Sequence, residues 1–110
     1  MTPLSPPPDT HQNFAGRYPE LAEAWRLTHE AGQRGPLDEK ARRLVKLAVA
    51  VGALREGAVH ADVRKALAAG ATPAEVEQVL ALAAGTIGFP AAVAVFTWVR
   101  DVLDGANSPG

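Results

Sequence analysis

The stretch Val79 to Val99, VLALAAGTIGFPAAVAVFTWV, carries no charged residue, and its reading decides the fold. It has the length of a single bilayer-crossing helix, which takes roughly 20 mainly apolar residues. Gly88-Phe89-Pro90 breaks it near the middle, however, and Pro90 cannot donate a backbone hydrogen bond. The region from Gly85 to Pro90 is poor in helix formers. Two shorter helices fit better, one ending near Thr86 and the next opening at Pro90, both nearly apolar all round. Helices of that kind belong inside a protein or between subunits.

Upstream of this stretch the punctuation is helical. Thr72-Pro73-Ala74-Glu75 matches a capping box with proline at the first helical position, and it starts the helix that runs to about Thr86. Gly70 occupies the position after a helix end that favours glycine, closing a helix from about Arg55 to Ala69. Asp38 is a good N-cap for a further helix. Its apolar positions Ala41, Leu44, Val45, Leu47, Ala48 and Val51 recur at helical spacing, while Lys40, Arg42, Arg43 and Lys46 take the other side. The first helix begins near Pro19, has Glu20 and Glu23 in its opening turns, and ends before Gly35-Pro36. The last runs from Pro90 to about Leu103. Residues 1–16, with four prolines before Thr10, and residues 105–110 read as extended or disordered tails around a helical domain at 17–104. The expectation is an all-α bundle of about five helices with short connections and no strand.

Composition narrows the function. A chain of 110 residues that is 47% hydrophobic is expected to cover part of its apolar surface with copies of itself. A formal charge of −1 argues against nucleic acid or an anionic membrane surface as partner. There is no cysteine, which excludes disulfides, thiolate nucleophiles and Cys-ligated zinc. No glycine-rich nucleotide loop is present, so no cofactor is expected, and the N-terminus lacks the pattern of a signal peptide, which makes a cytoplasmic address the default.

The helix after Leu54 holds the densest set of polar groups that is not plainly solvated: Arg55, Glu56, His60 and Asp62. At about 100° per residue, Val59, Val63, Ala66 and Leu67 make its apolar stripe, and Glu56 falls within it. His60 follows one turn later at the edge of that stripe, while Arg55 and Asp62 lie at the other. A core-facing carboxylate beside a histidine is suited to acid/base work. The plainer alternative is a helix that starts two residues later, leaving Glu56 solvated and His60 an ordinary boundary histidine. A metal site is not expected, because only two of these ligand types share a face. Arg42 and Arg43 either reach an anionic ligand in a cleft between subunits or belong to a solvated face. Trp25 and Trp98 read as core or interface residues.

LDEKARRLVKLAVAVGA (37–53), HADVRKALAAGATPAEVEQVL (60–80), and IGFPAAVAVF (87–96) followed by VRDVL together resemble the carboxymuconolactone decarboxylase family, which includes the AhpD-like alkylhydroperoxidases. YPELAEAW (18–25) is similar to the family's leading helix. The resemblance implies an all-helical fold assembled as homotrimers or homohexamers, with the helix after Leu54 lining a pocket between subunits. Its peroxidase members use a Glu, a CxxC pair and a His. Those positions fall here at Arg43, Arg55, Ala58 and Asp62, and none is kept. Decarboxylase members carry an Arg-Glu at the start of that helix, matched by Arg55-Glu56. Their histidine position is taken by Asp62, and His60 lies two residues earlier. The resemblance thus favours the decarboxylase branch, acting on a small organic acid or lactone. Glu56 and His60 are its candidate proton-transfer groups, and Arg55, Asp62 and Arg43 its candidate binding groups. The same scaffold without catalysis, as a binding or assembly protein, is the alternative.

Overall fold

The computed structural model describes residues 10–107, with side-chain surroundings up to residue 105. Six helices and no strand occur among the described residues: α1 Thr10–Arg17, α2 Pro19–Gln33, α3 Glu39–Gly52, α4 Glu56–Ala68, α5 Pro73–Ile87 and α6 Phe89–Asn107. The all-α expectation holds, and none of these helices is long and apolar enough to cross a membrane. Two boundaries differ from the sequence reading. Residues 10–16, expected in the leading tail, are helical, and α6 continues into the expected trailing tail as far as Asn107. The rest of both expected tails lies outside the described residues.

The chain divides into two compact units, one ending at Pro36 and the other beginning at Leu37. In the first, the Phe14 and Tyr18 rings lie 5.1 Å apart and tilted, an i,i+4 aromatic pair across the junction of α1 and α2. Pro19 sits at the start of α2, as expected. Neither helix buries a residue, and Leu21, Trp25 and Leu27 of α2 are half exposed.

The second unit holds the core. α3 packs against α4 and α5, and α6 packs against the same two helices, which makes a four-helix bundle with α3 and α6 at opposite corners. Leu47, Val51, Val59, Val63, Val76, Val95 and Val99 are its fully buried centre, with Ala50, Ala66, Ala71 and Ala92 around them. Valine and alanine dominate. Small side chains let helix backbones come close, but each contributes little buried area, and a fully buried valine is worth only about 1.5–3 kcal/mol. Trp98 is partly buried against this core.

The helix ends show why these residues fold this way. Asp38 Oδ1 accepts from the Ala41 N–H at 2.8 Å to start α3. Thr72 and Glu75 exchange reciprocal side-chain to backbone bonds at the start of α5, completing the capping box. Lys40 Nζ lies 2.9 Å from Glu75 Oε2 and ties α3 to α5, while Arg100 on α6 reaches Glu77 on α5. α4 ends in a Schellman motif: Ala71 N–H donates to Ala66 O, Gly70 N–H donates to Leu67 O, and Gly70 takes φ 98°. α3 ends in the same motif, with Arg55 N–H donating to Ala50 O and Leu54 N–H to Val51 O. Here the left-handed position belongs to Leu54, φ 54°, the only non-glycine with positive φ among the described residues. Gly88, φ 90°, both ends α5 and begins α6. The charge-free stretch is therefore two helices broken at Gly88, with α6 opening one residue before Pro90.

Candidate functional site

The strained Leu54 turn delivers the chain into α4 at the residues singled out from the sequence. Arg55 is the N-cap of α4 and Glu56 its first helical residue. Unlike Asp38 and Thr72, Arg55 has no side-chain oxygen to offer the N–H groups of the first turn, and it makes no cap bond. Both Arg55 and Glu56 are exposed.

Of the two readings of Glu56, core-facing and solvated, the structure has the solvated one, although not through a later helix start. The helix does begin at Glu56, and the buried stripe is Val59, Val63 and Ala66 as expected. Glu56 shares the angle of that stripe but stands a turn beyond the end of the core, so its carboxylate reaches solvent in the single chain.

His60 lies at the boundary, with its side chain 24% exposed, and its Nε2 is shielded from solvent without a hydrogen-bond partner. Its ion-pair partner among the described residues is the Asp101 carboxylate on α6, with Oδ2 3.5 Å from Nε2. No hydrogen bond or ion pair joins His60 to Glu56 among the described residues, so the two candidate proton-transfer groups are neighbours along α4 but not a bonded pair. Asp62 on α4 and Arg43 on α3 are partly buried, and neither forms an ion pair among the described residues. Arg42 donates through Nη1 to Leu37 O at 2.6 Å, and its Nε is buried without a partner. That bond holds Arg42 against its own helix start rather than in a cleft. No cluster of three His, Asp or Glu side chains suited to a metal occurs among the described residues.

Asp101 was not visible as a site residue in the sequence. It stands 41 positions after His60, and only the parallel run of α4 and α6 brings the two together. Between those helices Arg64, Leu67, Asp101, Val102 and Gly105 line a crevice of about 430 Å³. A second groove, between α5 and α6, is almost wholly apolar and is lined by Leu80, Ala81, Ala84, Phe89, Val93 and Phe96.

The family model described as Carboxymuconolactone decarboxylase family matches residues 19–101, from the first residue of α2 into the last turns of α6. The chain belongs to the carboxymuconolactone decarboxylase family. No curated protein and no solved structure matches it. Within this carboxymuconolactone decarboxylase family member the match takes in both structural units and all of the candidate residues.

Proposed function

We propose that this protein is a cysteine-free member of the decarboxylase branch that acts on a small organic acid or lactone in a pocket completed by a second subunit. The observation that carries the reading is the opening of α4. There a left-handed Leu54 presents Arg55 and Glu56 to solvent at a helix start that no N-cap side chain bonds, with a positive dipole end beside a guanidinium. Strained backbone persists where the surrounding structure holds it, and such positions cluster at functional sites. A substrate carboxylate is the anion that suits this end.

In a carboxylated lactone whose ring carbonyl is conjugated to the reacting carbon, the bond to the carboxylate breaks and carbon dioxide leaves. The electron pair moves into the carbonyl as an enolate, and a proton returns to carbon. Arg55 binds the carboxylate, with Arg43 and Asp62 lining the pocket. Cationic groups stabilise the enolate, and Glu56 and His60 move the proton. Thiol peroxidase chemistry is not available, because the chain has no cysteine to supply the thiolate.

Assembly as a homotrimer or homohexamer is part of this reading. Its support is the exposed apolar surface: Phe89, Val93 and Phe96 recur at i, i+4, i+7 on α6, and Phe89 is 78% exposed. Contiguous exposed apolar patches of this sort mark interaction sites.

The test is release of carbon dioxide from a panel of carboxylated lactones, followed by Glu56→Gln and Arg55→Ala on the best substrate. Loss of an acid/base group costs about 10²–10⁴-fold, so at least a hundredfold drop is expected for Glu56→Gln. Unchanged turnover in both variants overturns the assignment. A second reading, a non-catalytic assembly protein, is favoured by the missing bond between Glu56 and His60, and it predicts no turnover of any lactone by the native assembly.

A further inference from the structure

We propose that Asp101 is the positioning residue of His60, holding the hydrogen on Nε2 so that Nδ1 is the nitrogen that accepts a proton. This rests on reading His60 as a proton-transfer group of the site above.

His60 Nε2 is shielded from water and has no hydrogen-bond partner. A buried polar atom left unpaired forfeits its hydration with nothing in return, which is why such atoms nearly always find a partner. One ion-pair partner stands within reach among the described residues, Asp101 Oδ2 at 3.5 Å. That separation is beyond a good N–H to O bond and too short for a water to stand between. The Asp101 side chain is 58% exposed, so a small rotation closes the gap without disturbing the core.

The charges around the pair point the same way. Arg64, one turn further along α4, offers only donors, and none of them reaches Nε2, so no donor there holds a bare lone pair. Arg100, next to Asp101 on α6, is turned to Glu77 and Asp104 and forms no ion pair with the Asp101 carboxylate among the described residues. If Nε2 lacked its hydrogen, a lone pair would face a carboxylate oxygen at 3.5 Å, and the two would repel. With the hydrogen on Nε2, the carboxylate accepts it. A neutral imidazole carries one hydrogen, so Nδ1 then keeps its lone pair. Asp101 touches no substrate in this role. It selects the tautomer and fixes the ring.

The experiment is long-range proton–nitrogen correlation NMR on the full chain labelled with ¹⁵N-histidine, at about pH 8.5, above the ordinary histidine range. His60→Gln assigns the His60 signal among the three histidines. The native protein is expected to show the Nε2–H tautomer, with its proton resonance protected from exchange. Asp101→Ala is expected to lose that resonance. Asp101→Asn, whose carbonyl oxygen still accepts, is expected to keep it. A native protein with the hydrogen on Nδ1 overturns the proposal without any substitution, and so does an Asp101→Ala spectrum identical to the native one. Because no substrate enters the measurement, its outcome is separate from that of the turnover assay. A correct tautomer with no lactone turnover refutes the functional reading alone.

Discussion

Leu54 is the residue on which the candidate site turns. A left-handed conformation costs a non-glycine residue roughly 1–2 kcal/mol, and the same Schellman position after α4 is filled by glycine. Leu54→Gly removes that strain but adds backbone entropy to the unfolded chain, roughly 0.5–1 kcal/mol. The expected net effect is a gain of about 0.5 kcal/mol, whereas Leu54→Val, β-branched and worse in this region, loses about 1 kcal/mol. Urea midpoints at constant slope read both, and a destabilised Leu54→Gly would show that the half-exposed leucine side chain, not its backbone, matters here. If the strain serves the site, Leu54→Gly also lowers turnover while it raises stability. Glu56 shows how far a helical wheel carries. The sequence placed its angle correctly, but angle is not depth, and the first residue of a helix extends past the core its later turns bury. His60 was legible as a boundary residue. Its partner was not, because nothing local marks a contact between α4 and α6.

At the scale of elements, the caps were the most legible feature. Asp38, Gly70 and the Thr72 to Glu75 box all do what their residue types require. Thr72→Ala is expected to cost about 1 kcal/mol, the usual worth of an N-cap hydroxyl, in chemical denaturation. The Lys40 bridge adds a pH dependence to the same corner. The hydrogen bond from Lys40, and then the Thr72 backbone N–H, hold the Glu75 carboxyl below its ordinary range, and Glu75 in turn raises Lys40. A depressed carboxyl contributes stability that is present above its unfolded value and is lost as pH falls through the folded one. The raised lysine contributes stability that is present below its unfolded value and is lost as pH rises through the folded one. Glu75→Gln should therefore flatten the acid limb of the stability profile from the ordinary glutamate range downward, and an acid limb as steep as the native one would exclude this bridge as a source. α1 was missed for a plain reason. The first ten residues are proline-rich, and the helix that follows them carries only one i,i+4 aromatic contact, between Phe14 and Tyr18, to mark it.

For the whole molecule, the all-helical architecture followed from the missing strand signals and from the break at Gly88-Phe89-Pro90, and the family followed from motifs spread along the chain. The unequal burial of its parts did not, since α2 reads as an ordinary amphipathic helix yet buries none of its residues in the single chain. Exposed Phe89, Val93 and Phe96 give the assembly prediction. Light scattering on the eluting native protein should return three or six chains, and Val93→Glu with Phe96→Glu should lower that mass while the helical signal is kept. A native monomer would remove the assembly from the proposed function. Gly88 bears on how the bundle tolerates change. Its N–H donates to Ala84 O and its carbonyl accepts from Ala92 N–H, so one residue serves both helices and leaves no slack between them. Inserting a single residue there would turn α6 by about 100° and carry Val95, Val99 and Val102 away from α4 and α5 together. Chain length at this joint sets the rotational phase of the bundle.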